Sequence, residues 1–145
     1  MLGASGGANT TVTSSVVLDT TEALGGWSYS VCHDATQVEP LEIWSASATL
    51  TANGGSEPDF VTLNLDPAVG VAQGVVISLL GQNVLPPGVS YPLANMTYLL
   101  GSSAGSSTIC PCDLVGTPPV VTVLATPTGS TLPVGQNCGT ITINP

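Results

Sequence analysis

The sequence predicts an all-β domain, an antiparallel β-sandwich of about nine strands with jelly-roll or Greek-key connections. Hydrophobic residues make up 43 % of the 145 residues, which excludes a disordered chain and fits a single domain. Most of them are Val, Leu, Ile and Ala, and 17 Gly and 12 Pro interrupt them, as in short strands joined by turns. No window carries a sustained helical stripe of apolar residues.

The first half of the chain contains four predicted strands. A double glycine precedes the second strand, and an Asn-Gly-Gly triplet follows the third. The second strand alternates large apolar residues with serines, which is the period of a half-buried strand. Residues 36–44 are expected to form at most one helical turn. The predicted strands are Thr11–Asp19, Trp27–His33, Ile43–Thr51 and Phe60–Leu65.

The second half contains five predicted strands, most of them preceded by Pro-rich or Gly-rich turns. The unbroken apolar run 75–80 predicts a strand that is covered on both faces. The predicted strands are Val71–Leu80, Tyr91–Leu100, Ser107–Cys112, Val120–Thr126 and Gly139–Asn144.

Residues 1–10 are predicted to be an extended arm or linker, and residues 11–145 the sandwich. The arm is rich in Gly and small residues and has no apolar alternation, so we expect it to contribute little to a core. An extended arm of this kind suits pairing with the open sheet edge of a neighbouring subunit. The first seven residues, MLGASGG, lack the positive and apolar regions of a signal peptide.

The charge composition excludes several classes of function. The chain has no Lys or Arg and nine Asp and Glu, for a formal net charge of -9. No basic group is available to bind nucleic acid, to form a Schiff base or to hold an anionic membrane. No apolar run is long enough for a transmembrane helix. We therefore expect neither a nucleic-acid partner nor membrane insertion.

Four cysteines and two Asn-x-Thr sequons favour an extracellular or cell-surface glycoprotein. Two of the cysteines have a single residue between them and so share a strand face, which favours separate disulfide partners. A zinc site with His33 is the alternative, although the C-x-C spacing is tighter than zinc sites prefer. The cysteines are Cys32, Cys110, Cys112 and Cys138, and the sequons begin at Asn9 and Asn95.

Four stretches of sequence occur together in a characteristic order: Gly26–Asp34 (GWSYSVCHD), Asn53–Gly55 with Pro58–Phe60, Gly74–Gly81 with Leu85–Gly88, and Cys112–Val120 (CDLVGTPPV). This order resembles an uncharacterised extracellular repeat module of large secreted proteins of planctomycetes and related bacteria. The resemblance spans residues 11–144 and implies a cohesin-like β-sandwich without catalytic residues. The module shares Cys32 and Cys112, so the resemblance implies a Cys32–Cys112 disulfide and leaves Cys110 to pair with Cys138.

Candidate chemistry is sparse. His33 and Asp34 are adjacent, but the chain lacks a nucleophile elbow and a second His, so no catalytic residue is predicted. Close pairs of carboxylates, which a glycosidase would use, are interpreted as solvated loops. Loop carboxylates are also candidate Ca²⁺ ligands, although no EF-hand spacing is present, and no other cofactor is expected. The Ca²⁺ candidates are Asp34, Glu57, Asp59 and Asp66.

The aromatic residues are too few for an obvious sugar-stacking surface. Trp27 and Tyr29 occupy inward positions of the second predicted strand and are predicted to anchor the core. The position of Trp44 stays open between core and surface.

These features together favour a non-catalytic extracellular structural module. We expect it to build a fibre, a surface layer or a tandem-repeat surface protein through β-edge and arm contacts, by self-association or with neighbouring modules of the same kind. The alternative is a cohesin-like or carbohydrate-binding recognition module, with a protein or a glycan as its ligand.

Overall fold

Two β-sheets pack face to face in a sandwich. A computed structural model describes every residue, Met1–Pro145. Eleven strands and one short helix follow each other along the chain. They are β1 (Ala4–Gly7), β2 (Thr11–Thr20), β3 (Gly26–Cys32), β4 (Val38–Ser45), α1 (Ser47–Leu50), β5 (Phe60–Asp66), β6 (Gly70–Val76), β7 (Gly88–Leu100), β8 (Gly105–Cys112), β9 (Val123–Ala125), β10 (Thr131–Leu132) and β11 (Gly139–Asn144).

The larger sheet has the strand order β1-β11-β8-β3-β6-β5, and β9 pairs with both β3 and β10 beside this path. The smaller sheet has the order β2-β7-β4. Every pairing is antiparallel except that of β1 with β11. The predicted all-β sandwich is therefore confirmed. Strands β2 and β5 extend one residue beyond their predicted ends, and β3 begins and ends one residue before its predicted limits.

The predicted third strand, Ile43–Thr51, is wrong in its second half. Strand β4 begins earlier, at Val38, and the chain then turns into the helix α1. The Thr49 hydroxyl donates to the Leu93 carbonyl oxygen at 2.6 Å, and Ala48 is buried beside it. A helical turn places these small side chains against β7, whereas a strand would carry alternate residues out to solvent.

The predicted strand Val71–Leu80 is too long. Strand β6 ends at Val76, and Leu79 and Leu80 are 72 % and 80 % exposed in the following loop. The Asp59 carboxylate accepts the Leu79 backbone N–H at 2.8 Å and so helps to turn the chain away from the sheet. The apolar run therefore does not mark a strand covered on both faces.

The N-terminal segment lies within the sandwich, which corrects the predicted arm at residues 1–10. Strand β1 pairs with β11 of the same chain, from Ala4 opposite Ile141 to Gly7 opposite Asn144. A Cβ atom on Gly6 would lie 2.7 Å from Val12 Cγ1, so the glycine allows the segment to lie close against β2. The small residues that argued against a core role are what permit this approach.

A buried hydrogen-bond network joins the two sheets at Gln73. Its Oε1 atom accepts from Trp27 Nε1 at 3.1 Å and from the Tyr29 hydroxyl at 2.9 Å. Its Nε2 atom donates to the carbonyl oxygen of Leu93 and to Ser45 Oγ, both at 3.3 Å. Trp27 and Tyr29 are 3 % and 6 % exposed and belong to the core, and burial raises the pKa of Tyr29 well above its ordinary value.

Two disulfides fasten the centre of the larger sheet. Cys32 on β3 is bonded to Cys112 on β8, with Cα atoms 5.8 Å apart. Cys110, also on β8, is bonded to Cys138 just before β11, with Cα atoms 4.3 Å apart. This is the pairing that the resemblance implied, and it leaves no free cysteine for a zinc site.

Candidate recognition cleft

The outer face of the larger sheet is made of small and apolar residues at one end. Gly26 of β3 lies in register between Val76 of β6 and Ala125 of β9, and Val76 in turn pairs with Phe60 of β5. Because successive side chains of a strand alternate between faces, this row points away from the core row that contains Trp27.

These residues form the floor of an open cleft of about 470 Å³, which we call the recognition cleft. A Cβ atom on Gly26 would collide with the Val75 carbonyl oxygen, and one on Gly74 would lie 3.0 Å from Thr62 Cγ2. The absence of side chains at these two positions therefore keeps the cleft open. The walls are the loop 78–83 on one side and the turn 126–129 on the other.

The rim of the recognition cleft exposes large apolar side chains. Phe60 is 52 % exposed and Val76 is 37 % exposed, and both line the cleft. Leu79 and Leu80 belong to the wall loop and are 72 % and 80 % exposed, but they do not line the cleft. An apolar surface of this kind, set in a concave site, is typical of a binding surface.

The rest of the outer face of β3 is covered by the loop 113–122, which follows the disulfide-bonded Cys112. The Ser28 hydroxyl donates to the Val121 carbonyl oxygen at 2.7 Å, and the Ser30 hydroxyl donates to the carbonyl oxygen of Val120. Val115 of this loop is only 1 % exposed. The loop therefore leaves the recognition cleft as the open part of this face.

Three polar side chains around the cleft make hydrogen bonds within the protein. The Ser28 hydroxyl is used by the covering loop, the Ser78 hydroxyl accepts the Gln82 backbone N–H at 3.2 Å, and Asn83 Nδ2 donates to Asn53 Oδ1 at 2.7 Å. The accessible surface of the cleft is mainly apolar. Such a surface suits an apolar side chain of a protein ligand.

The four Ca²⁺ candidates are not brought together, and no group of three or more His, Cys, Asp or Glu residues is arranged to hold a metal. Three of them organise their own turns. Asp34 accepts from Thr36, Asp59 from Asn53, and Asp66 from the backbone of Ala68. Glu57 is exposed. The hydrogen bonds from Thr36 hold the pKa of Asp34 below its usual value.

His33 and Asp34 do not act as a pair. The His33 Nε2 atom lies 3.1 Å from the Pro67 carbonyl oxygen, and the Nδ1 atom is buried without a hydrogen-bond partner. The Asp34 backbone N–H donates to Ser107 Oγ at 2.9 Å, so the Ser107 hydroxyl already takes part in a hydrogen bond to the backbone.

The two sequons lie in very different places. Asn9 is exposed in the turn between β1 and β2 and has a positive φ of 58°. Asn95 lies in β7, the central strand of the smaller sheet, where its Oδ1 atom accepts from Ser15 Oγ at 2.7 Å. Trp44 pairs with Asn95 in the neighbouring strand and is half-buried, on the other sheet from the buried Trp27. The aromatic residues thus form no common platform.

Solved cohesin structures match the chain over nearly its whole length. A cohesin from Clostridium thermocellum, in the type I complex of Coh-OlpC with Doc435, has a TM-score of 0.74 at 12 % identity, covering 97 % of this chain and 88 % of that chain. The chain has the cohesin fold. The sixth cohesin of scaffoldin B from Acetivibrio cellulolyticus, in complex with a Cel5 dockerin, has a TM-score of 0.71 at 14 % identity, covering 99 % and 95 %.

A non-cellulosomal cohesin from the hyperthermophilic archaeon Archaeoglobus fulgidus has a TM-score of 0.71 at 10 % identity, covering 99 % of this chain and 87 % of that chain. No protein-family model and no curated protein sequence matches the chain. The cohesin-like sandwich that the resemblance implied is therefore confirmed at the level of the fold.

The structure contains no helix with the length and apolar character to cross a membrane.

The sequence alone does not reveal the recognition cleft. The outward alternation of β3, β5 and β6 was visible in the sequence, and Phe60 is the one Phe of the chain. The cleft, however, also needs the pairing of β9 with β3 and two loops that are distant in sequence. No local pattern encodes that combination.

Proposed function

We propose that the chain is a non-catalytic extracellular recognition module that binds a protein partner of the dockerin kind. The observation that carries this proposal is an open, mainly apolar cleft on a cohesin fold. Cohesins of the same fold are seen in complex with dockerins. The two disulfides support a location outside the cell.

This proposal replaces assembly into a fibre as the leading hypothesis. That hypothesis used β-edge and arm contacts, and in the structure the N-terminal segment completes the edge of the chain's own sheet. The alternative of a cohesin-like recognition module needs no arm, and it uses a surface that the fold leaves open.

The test is a titration of the purified chain with a panel of dockerin domains that includes the Cel5 dockerin. We expect at least one dockerin to bind, and a Val76→Asp variant to weaken that binding by about a hundredfold, because a carboxylate would be desolvated in an apolar site. Val89→Asp is the matched control, since Val89 is 76 % exposed on the other sheet. Binding by no dockerin, or equal effects of the two variants, would contradict the proposal.

A further inference from the structure

Strand β5 is the outermost strand of the larger sheet, and no strand pairs with its free edge, although β4 of the smaller sheet packs near it. The backbone of β5 pairs with β6 alone. The register runs without a shift from Phe60 opposite Val76 to Asp66 opposite Gly70. The strand contains no Lys, Pro or bulge, which are the devices that usually prevent an edge from pairing with another chain.

The other sheet edges of the molecule are protected. Strand β4 carries Pro40 and a register shift beside it. Strand β2 has two register shifts, and Leu2 bonds to it through the Ser15 carbonyl oxygen and the Ser14 hydroxyl. Strand β1 is only four residues long. The edge of β5 is therefore distinct within this chain.

The inner side of β5 also exposes a row of apolar side chains. Val61, Leu63 and Leu65 lie in register with the core residues of β6, yet they are 36 %, 37 % and 37 % exposed. These residues are i, i+2 and i+4 on one strand, so a further strand with the same alternation would cover all three. Because no strand pairs with the free edge, the side chains of Val61, Leu63 and Leu65 remain partly exposed to water.

The charges at β5 argue against a second copy of the chain as the occupant. Asp59 precedes the strand and Asp66 ends it, and both are exposed. In an antiparallel pair of two copies centred on Leu63, Asp66 of one copy would lie one register position from Asp59 of the other, so each end of the pair would carry two carboxylates and no cation. Each copy also carries a net charge of -9 without any Lys or Arg. This concentration of like charge without a counter-charge opposes self-pairing.

We propose that the free edge of β5 binds an extended segment of a partner protein, with alternating apolar residues and with Lys or Arg at its ends. Backbone hydrogen bonds would supply the pairing, the apolar residues would cover the inner row, and the basic ends would meet Asp59 and Asp66. This site uses the backbone edge and the inner row of β5, adjoins the recognition cleft at Phe60, and does not depend on the proposed dockerin-like function.

The probe is the peptide acetyl-Lys-Thr-Val-Thr-Val-Thr-Val-Lys-amide. Its affinity for the protein is measured by fluorescence, and its binding site is located from NMR chemical-shift changes of the protein's backbone amides. We expect binding with shifts confined to β5 and β6. Replacing both Lys by Glu should weaken binding by at least about tenfold at low salt, and added salt should reduce that difference. N-methylation of alternate peptide amides should abolish binding, because it removes the N–H donors that pair with the strand edge. The protein in this experiment is unaltered.

The matched protein variants are Leu63→Lys, which places a positive charge on the edge strand, and Val89→Lys, which makes the same charge change on the other sheet. We expect the first to lose peptide binding by about tenfold and the second to retain it. Val76→Asp should also retain it, which separates this site from the cleft. Absence of peptide binding, insensitivity to N-methylation, or salt-resistant self-association that Leu63→Lys abolishes would each overturn the proposal.

Discussion

Gln73 shows how one buried polar residue can join the two halves of a mainly apolar core. Its amide binds two aromatic donors on the larger sheet and two oxygens on the smaller sheet. A buried amide with partners on both sheets penalises any slip of one sheet against the other, because the slip would leave it unpaired. The sequence predicted the aromatic anchors Trp27 and Tyr29 from alternation, but it gave no sign of their shared acceptor.

Replacing Trp27 by Ala should lower the free energy of unfolding by about 3–5 kcal/mol, the usual cost of removing a large buried aromatic side chain. Chemical denaturation measures this value. The control is Trp44→Ala, which removes a half-buried Trp from the smaller sheet and should cost much less. Equal effects of the two substitutions would show that Trp27 is not the core anchor.

His33 makes the stability of the fold depend on pH in a mildly acidic range. Burial lowers the pKa of His33 from 6.5, outweighing the hydrogen bond to Pro67 and the charges of Asp34 and Asp66, which raise it. The unfolded chain therefore binds the proton more tightly than the folded chain. Stability should be complete above the unfolded pKa of about 6.5 and should fall as the pH drops from there towards the lower folded pKa.

The check is a series of denaturation midpoints between neutral and mildly acidic pH for the protein and for His33→Gln. The variant should show a flatter dependence, because it removes the titrating group. Asp34 provides the internal contrast. Its pKa is lowered from 3.8, so its contribution is lost only in a more acidic range. A parallel slope in both proteins would contradict the assignment to His33.

The strands that the sequence predicted correctly are those with strong alternation between clear turns. Strands β2, β3, β5, β7, β8 and β11 all have this character. Strands β1 and β10 were missed because they are short and rich in small residues, so their pairing depends on distant neighbours. The sequence predicts a strand where helix α1 lies, because Ser-Ala-Thr-Leu is too short to show a helical period.

Deletion of residues 1–7 should destabilise the protein and promote its aggregation. The deletion removes the whole of β1 and opens the edge of β11, whose Ile141 and Ile143 are 0 % and 2 % exposed. Losing the backbone pairing and the cover over these side chains should cost about 2–5 kcal/mol. Urea denaturation and sedimentation would measure both effects. A soluble variant with an unchanged midpoint would instead support a free arm.

At the scale of the whole molecule, almost all long-range electrostatic interactions are repulsive. Nine carboxylates face no Lys or Arg, and only His33 and the N-terminal amine can carry positive charge. The fold is consequently held by packing, by 73 backbone hydrogen bonds and by two disulfides instead of by ion pairs. The composition alone predicted this feature, whereas the recognition cleft and the open β5 edge needed the assembled sheets.

Added sodium chloride should therefore raise the thermal midpoint by a few degrees, since salt screens repulsion that opposes the compact state. A protein held by surface ion pairs would show the opposite trend. Thermal scans at low and high ionic strength near neutral pH test this expectation. The same scans at a pH low enough to protonate the carboxylates are the control, and the salt effect should shrink there.

The parallel pairing of β1 with β11 has a mechanical consequence. The first and last strands lie side by side and run in the same direction, so the chain enters at one end of the sandwich and leaves at the other. Tension applied to the two ends would pull these strands in opposite directions along their length. Their hydrogen bonds would then share the load in shear, instead of opening one at a time as in a hairpin that is peeled from its ends. Stretching of single molecules should show an abrupt rupture that residues 1–7 are required to produce.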